Sequence, residues 1–124
     1  MSPLRVVSVD GTAVEIPAAA CKNSELLAGL LETRDQAADA TTPVPLTHPS
    51  CTAATLRVIV AMLGANLHAH SIANTHVLLR VIGAADFLSA DAVLHASVQE
   101  FAQRLAERHS ANIDALKIEL EKYK

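Results

Sequence analysis

Six histidines, two cysteines and a scatter of serines and aspartates are the residues of this chain with chemistry to offer. The tightest cluster is His68-Ala69-His70, with His76 close behind. On a strand, an H-x-H pair would put both rings on one face, where a zinc ion takes imidazole nitrogens. A tetrahedral site needs more ligands, and no cysteine or carboxylate lies between Gly64 and Arg80. The cluster therefore reads as part of a solvated connector, and His48 and His95 read as surface residues. Cys21 and Cys51 stand far apart with no C-x-x-C motif, so neither a zinc knuckle nor a dithiol redox pair is signalled. One disulfide between them stays open, but two free thiols in a reducing compartment fit the chain better. Ser, His and Asp occur without a G-x-S-x-G elbow, and four glycines supply no phosphate-cradling loop. No catalytic residue, metal or cofactor is expected.

What remains is a surface for partners, and composition narrows which. A chain of 124 residues makes one domain with a core of its own. With 51% hydrophobic and 19% charged residues it is not disordered by composition. A net charge of −3 provides no basic face for a phosphate backbone, so nucleic acid is not an expected partner. The apolar content is aliphatic: 23 Ala and 16 Leu, against two Phe, one Tyr and no Trp. That weighting favours helices and leaves little for base stacking. The longest apolar stretch, Leu56 to Leu63, is broken by Arg57 and too short to span a bilayer, so no membrane contact is expected. The opening MSPLRVVSVDG enters a strand pattern with no apolar signal region. The expected location is cytoplasmic, nuclear or both.

The elements follow from turn chemistry and periodicity. Leu4 to Ile16 reads as a β-hairpin, because Asp10-Gly11 suits a two-residue type I′ turn. That turn would set Val7 opposite Val14 and Arg5 opposite Ile16, with Val6 and Glu15 on the wetter face. Ala18 to Lys22 is a short helix. Ser24 caps the next, whose stripe is Leu27, Leu30 and Leu31. Glu32 to Thr42 reads as a polar loop. Pro43-Val44-Pro45-Leu46 lacks two donors and suits an edge strand. Thr52 to Leu63 is a helix stopped by Gly64 as its C′ residue. Asn74 or Thr75 caps a long helix with Val77, Leu78, Val81, Ile82 and Ala85 inward. Ser89 caps another, striped by Leu94, Val98, Phe101, Ala102 and Leu105. Ser110 caps a last one, striped by Ile113, Leu116, Leu120 and Tyr123.

The order and spacing of these pieces resemble the S-phase kinase-associated protein one and elongin C adaptor family of the BTB/POZ superfold. The carriers are Asp10-Gly11, Val14 and Ile16, Lys22-x-Ser24, Leu31-Glu32, Pro43 to Leu46, and Leu56, Val58 and Ile59. The most specific block is Ile82-Gly83-Ala84-Ala85-Asp86-Phe87-Leu88, and Ala92 to Leu105 continues like the adaptor helix beyond it. The family's acidic insertion after the third helix is missing, as are its tryptophan-bearing segments. The turn after Leu46 is longer, and Asp86 stands where the family usually has Asn. The compact Gly64 to Asn74 connector is more like that of ordinary BTB/POZ domains.

The resemblance implies an α/β (α+β) fold: a three-stranded sheet with an N-terminal hairpin, packed on a helical cluster with extra C-terminal helices. Residues 1–105 would form the core domain, and 106–124 an amphipathic helix extending a partner groove. It implies a non-catalytic adaptor of a cullin-RING ubiquitin ligase. Val44, Pro45, Leu46, Asp86 and Phe87 would face the cullin. Leu94, Val98, Phe101, Leu105, Ile113, Leu116 and Leu120 would face an F-box-type substrate receptor. The alternative is a stand-alone BTB/POZ-like assembly domain outside ubiquitin ligases, binding itself as a homodimer or binding a non-ligase partner. Phe87 is either an exposed anchor in this scheme or a plain core residue.

Overall fold

The structure, a computed structural model, describes residues 3–35 and 43–122. Among these residues it is an α+β arrangement: a three-stranded mixed sheet and five α-helices. Strands β1 (Leu4–Val7) and β2 (Ala13–Ile16) form the antiparallel hairpin, and β3 (Val44–Pro45) joins β1 in parallel, giving the order β2-β1-β3. As an edge strand β3 tolerates Pro45, which has no N–H to donate. The ladder continues one residue on, where the Leu46 N–H donates to the Val7 carbonyl at 2.9 Å.

The hairpin register differs from the expected one by a single residue. Leu4 faces Ile16 and Val6 faces Val14, all four buried, while Arg5 and Glu15 form an exposed ion pair at 3.1 Å. Val6 is therefore core, and Val7, expected there, is only half-buried. A one-residue slip turns every side chain to the other face. Its cause is the turn. Among residues 8–12 only Gly11 has a positive φ, +83°, so Asp10-Gly11 is not a type I′ pair. The Gly11 N–H instead donates to the Ser8 carbonyl at 3.0 Å, and the Ser8 N–H to the Thr12 carbonyl at 2.9 Å. This is a type I turn closed by a left-handed glycine, which lengthens the loop. The Ser8 hydroxyl bonds the Asp10 carboxylate and accepts the Thr12 N–H, holding the turn from within.

Helix α1 (Ala18–Cys21) is a single turn, and α2 (Glu25–Asp35) follows. Residues 32–35 thus belong to α2 rather than to a polar loop, and the rest of that expected loop lies outside the described residues. Ser24 caps α2, its Oγ accepting the Leu27 N–H at 3.3 Å. The two earlier free N–H groups, of Glu25 and Leu26, donate to the carbonyls of Ser89 and Leu88. Helix α3 (Ala53–Leu63) is capped by Thr52, and the Asp10 carboxylate also accepts the Ala53 N–H at 3.1 Å. Helix α3 does not end on Gly64 as a left-handed residue. Gly64 has φ −84°, and Ala65 takes the left-handed place at φ +59°. The Asn66 N–H reaches back to Ala61 and the Ala65 N–H to Met62, a Schellman closure with alanine at its costly position.

A 3₁₀ turn (Ala69–Ser71) leads to α4 (Thr75–Phe87), capped by Asn74. Helix α4 closes by the same Schellman pattern. Ser89 sits at φ +53°, the Ala90 N–H bonds the Ala85 carbonyl and the Ser89 N–H bonds that of Asp86. Ser89 is therefore the left-handed end of α4 rather than the cap of the next helix, which begins after Ala90 without a side-chain cap.

That next helix, α5, runs unbroken from Asp91 to Glu121. No separate helix starts at Ser110, and the boundary expected at residue 105 falls inside α5. The physical reason is the lack of any glycine or proline from Asp91 onward. The expected stripe residue Tyr123 lies outside the described residues. At 31 residues α5 is about 47 Å long. The core gathers the inner hairpin face, Leu27 and Leu31 of α2, Leu56, Ile59 and Leu63 of α3, Leu78, Val81, Ala84 and Ala85 of α4, and Val93 of α5.

Candidate protein-interaction surfaces

The C-terminal turn of α4 separates core from surface within five residues. Ala84, Ala85 and Leu88 are buried, which turns Asp86 and Phe87 outward. Phe87 is 36% exposed, so it is a surface aromatic and not a core residue. On one side the His48 imidazole stacks on its ring, centroids 5.0 Å apart and planes 24° from parallel. His48 is itself fixed, because its Nδ1 accepts the Ser50 N–H at 3.1 Å. The 48–50 turn is seated against Gly83 of α4: a Cβ there would lie 2.5 Å from Ser50 Oγ. On the other side, Phe87 borders a shallow groove of about 380 Å³ with Leu26, Gly29 and Leu30 of α2 at its floor. An exposed aromatic framed by aliphatic side chains and a second ring has the make-up of an interface anchor.

The expected β3 contacts divide. Pro45 is exposed and Val44 half-buried, but Leu46 is a core residue at 3% exposure, placed inward at the end of the edge strand. Leu46 is thus unavailable as a surface contact. The expectation did not include His48, Leu26 or Leu30 beside Phe87. They come from a loop and a helix distant in sequence, and only the packing brings them there.

The second surface is α5. Its inner face carries Val93 and the buried Ser97, whose hydroxyl has no partner among the described residues. Arg104 is the last strong tie to the body. It pairs with Glu100 at 3.1 Å, donates to Thr75 Oγ1 at 3.3 Å and bonds the Ile72 carbonyl. From Leu105 to Lys122 every described side chain is exposed. Of the expected receptor residues, Leu94 and Phe101 are half-buried, and Val98, Leu105, Ile113, Leu116 and Leu120 are exposed, Leu116 and Leu120 by nearly two thirds. A groove of about 690 Å³ runs between α4 and α5, with Leu79, Phe101 and Leu105 as its apolar centre and His76, Glu107 and Arg108 on its rim.

The groups with chemistry to offer are dispersed. His68 and His70 flank Ala69 in and beside the 3₁₀ turn, not on a strand, and their exposed rings stack 5.7 Å apart. Among the described residues no three His, Cys, Asp or Glu side chains are grouped so as to hold a metal ion. Cys21 and Cys51 are both free and buried, and burial pushes both thiols above the ordinary thiol pKa. Asp10 is moved the other way. The Ser8 hydroxyl bond lowers its carboxyl, partial desolvation opposes this, and the Ala53 N–H and the Arg57 charge add to the lowering. Among the described residues no helix is long and apolar enough to cross a membrane. In comparison with known proteins, the chain matches no protein-family model and no curated protein.

Proposed function

We propose that this chain is a non-catalytic adaptor with a BTB/POZ-like fold, bridging a cullin scaffold to an F-box-type substrate receptor in a ubiquitin ligase. The observation that carries the reading is the exposure of Phe87 beside Asp86, between the buried Ala84 and Ala85 on one side and the buried Leu88 on the other. A helix end that buries its alanines and presents its only aromatic is arranged for a partner. The mixed sheet, in the order β2-β1-β3 with a parallel edge strand, is compatible with the α+β class of that fold. The Phe87 surface takes the cullin, and the exposed face of α5 takes the receptor. An adaptor needs two such faces, and these two lie on different elements.

A stand-alone BTB/POZ-like assembly domain is the second reading. It is favoured by the short connector from Gly64 to Asn74, which holds one 3₁₀ turn and no acidic insertion.

Co-purification from cells that make the chain decides between them. With the adaptor, a cullin is retained, and Phe87→Asp loses it while keeping the receptor. Truncating a hot-spot aromatic costs about 2 kcal/mol or more of binding. The variant gives up the His48 stack and sets a carboxylate at the end of α4, so its thermal midpoint should fall modestly while circular dichroism shows a folded chain. A folded Phe87→Asp chain that retains the cullin at full strength would end the adaptor reading for this surface.

A further inference from the structure

The outward face of α5 carries Val98, Ala102, Leu105, His109, Ile113, Leu116 and Leu120. All seven are exposed. Their spacing is 4-3-4, then 4-3-4 again. This is an eleven-residue repeat, close to the natural turn of an α-helix, so the seven stay on one stripe without drifting around it. The spacing also reads the same in both directions about His109. In an antiparallel two-fold pair each position meets the one equally far on the other side of the axis, so a palindromic stripe is what such contacts need.

We propose that α5 pairs antiparallel with α5 of a second copy, about a two-fold axis through His109. Val98 then lies opposite Leu120, Leu105 opposite Ile113, and Ala102 opposite Leu116. Each large residue of the last pair meets a small one, which lets the two helices sit at an even distance. A parallel pair would also be in register, but it sets Ala102 against Ala102 and leaves both projecting ends covered only by each other. The antiparallel pair lays the unsupported half of each α5 along the supported half of the other. There the partner's stripe borders the groove formed by Leu79, Phe101 and Leu105. This meets a need of the isolated chain, because a helical end with no buried residue is marginal in water at this length. Five partly exposed aliphatic side chains per copy supply an interface on the order of 1,000 Å², at the weak end of specific association. The pair is therefore dilution-sensitive. It does not depend on the adaptor reading, although it covers the face proposed for the receptor, so a second copy and a receptor would exclude one another.

Single-cysteine cross-linking of the full chain under mild oxidation tests the geometry. The native thiols are buried and the unsubstituted chain serves as the blank. His109→Cys should form a covalent dimer by itself, because the axis brings the two positions within disulfide reach. Val98→Cys should not cross-link to itself, since the pairing holds the two positions about 33 Å apart. A mixture of Val98→Cys and Leu120→Cys chains should cross-link to each other. Sedimentation equilibrium gives the independent measure: the unsubstituted chain dimerises with concentration, Leu116→Glu stays monomeric, and His109→Leu tightens the dimer about tenfold. Self-cross-linking of Val98→Cys would show parallel pairing and overturn the proposal. So would a folded, helical chain that remains monomeric at millimolar concentration.

Discussion

Ser24 Oγ donates to the buried carbonyl of Leu88 at 2.6 Å, joining the start of α2 to the end of α4. The same oxygen accepts the Leu27 N–H, and the Leu88 carbonyl also accepts the Leu26 N–H. One hydroxyl thus serves as both cap and tether.

Replacing it should be costly on both counts. Ser24→Ala removes a helix cap and takes a donor from a buried carbonyl. The expected loss is about 1–2 kcal/mol of unfolding free energy. Urea titration of the two chains measures it. The denaturant slope should stay the same, because the fold is not altered.

Ala65 and Ser89 occupy left-handed backbone at the ends of α3 and α4, where a Cβ is penalised. Ala65→Gly should stabilise the chain by about 0.5–1 kcal/mol, since relief of strain in the folded state outweighs the added freedom of the unfolded one. Ser89→Gly should act in the same direction. The readout is the thermal midpoint of each variant.

The Asp10 carboxyl, held low by Ser8, Ala53 and Arg57, links stability to pH. A carboxyl with a depressed folded pKa contributes stability above its unfolded pKa, and loses it as pH falls through the folded value. Asp10→Asn should therefore be less stable than the unsubstituted chain at neutral pH. The gap between them should close as the solution is acidified below the carboxylate range. Denaturation at a series of pH values shows the convergence.

Hydrogen exchange should divide α5 at Arg104. Amides of residues 93–104, on the packed half, should exchange slowly at any concentration. Those of 109–120 should exchange quickly in dilute solution, and slow as concentration rises if α5 pairs with a second copy. Mass spectrometry of peptides from either side of residue 105 resolves the two behaviours.

Much of the architecture is legible in residue order. Ser24 and Asn74 cap the helices they precede, as a short side-chain oxygen before an apolar period suggests, and Thr52, read as the first residue of α3, is its cap. Pro43 to Leu46 declares an edge strand through its missing donors. The errors come where local chemistry admits two outcomes. Asp10-Gly11 fits a tight hairpin, but Ser8 captures Asp10 and a longer turn forms, which shifts the register by one residue. Ser89 and Ser110 both have the type of a cap. One instead closes the preceding helix, and the other sits inside a helix with nothing to break it. The outward turn of Phe87 agrees with a reading of the alanine-rich block. Its neighbours His48, Leu26 and Leu30 are not in any local pattern, because they meet it only through the packing of the 48–50 turn and α2 against α4.

The closure of α2 by Leu88 and Ser89 also has a consequence for biosynthesis. On the ribosome, α2 emerges long before the carbonyls that satisfy its first two N–H groups, which belong to residues made 64 and 62 positions later. Until then α2 has Ser24 alone at its start. The nascent chain therefore cannot complete this helix start until α4 has been released and closed. The start of α2 must wait for most of the domain to be synthesised, a window in which the N–H groups of Glu25 and Leu26 stay open to water or to a chaperone.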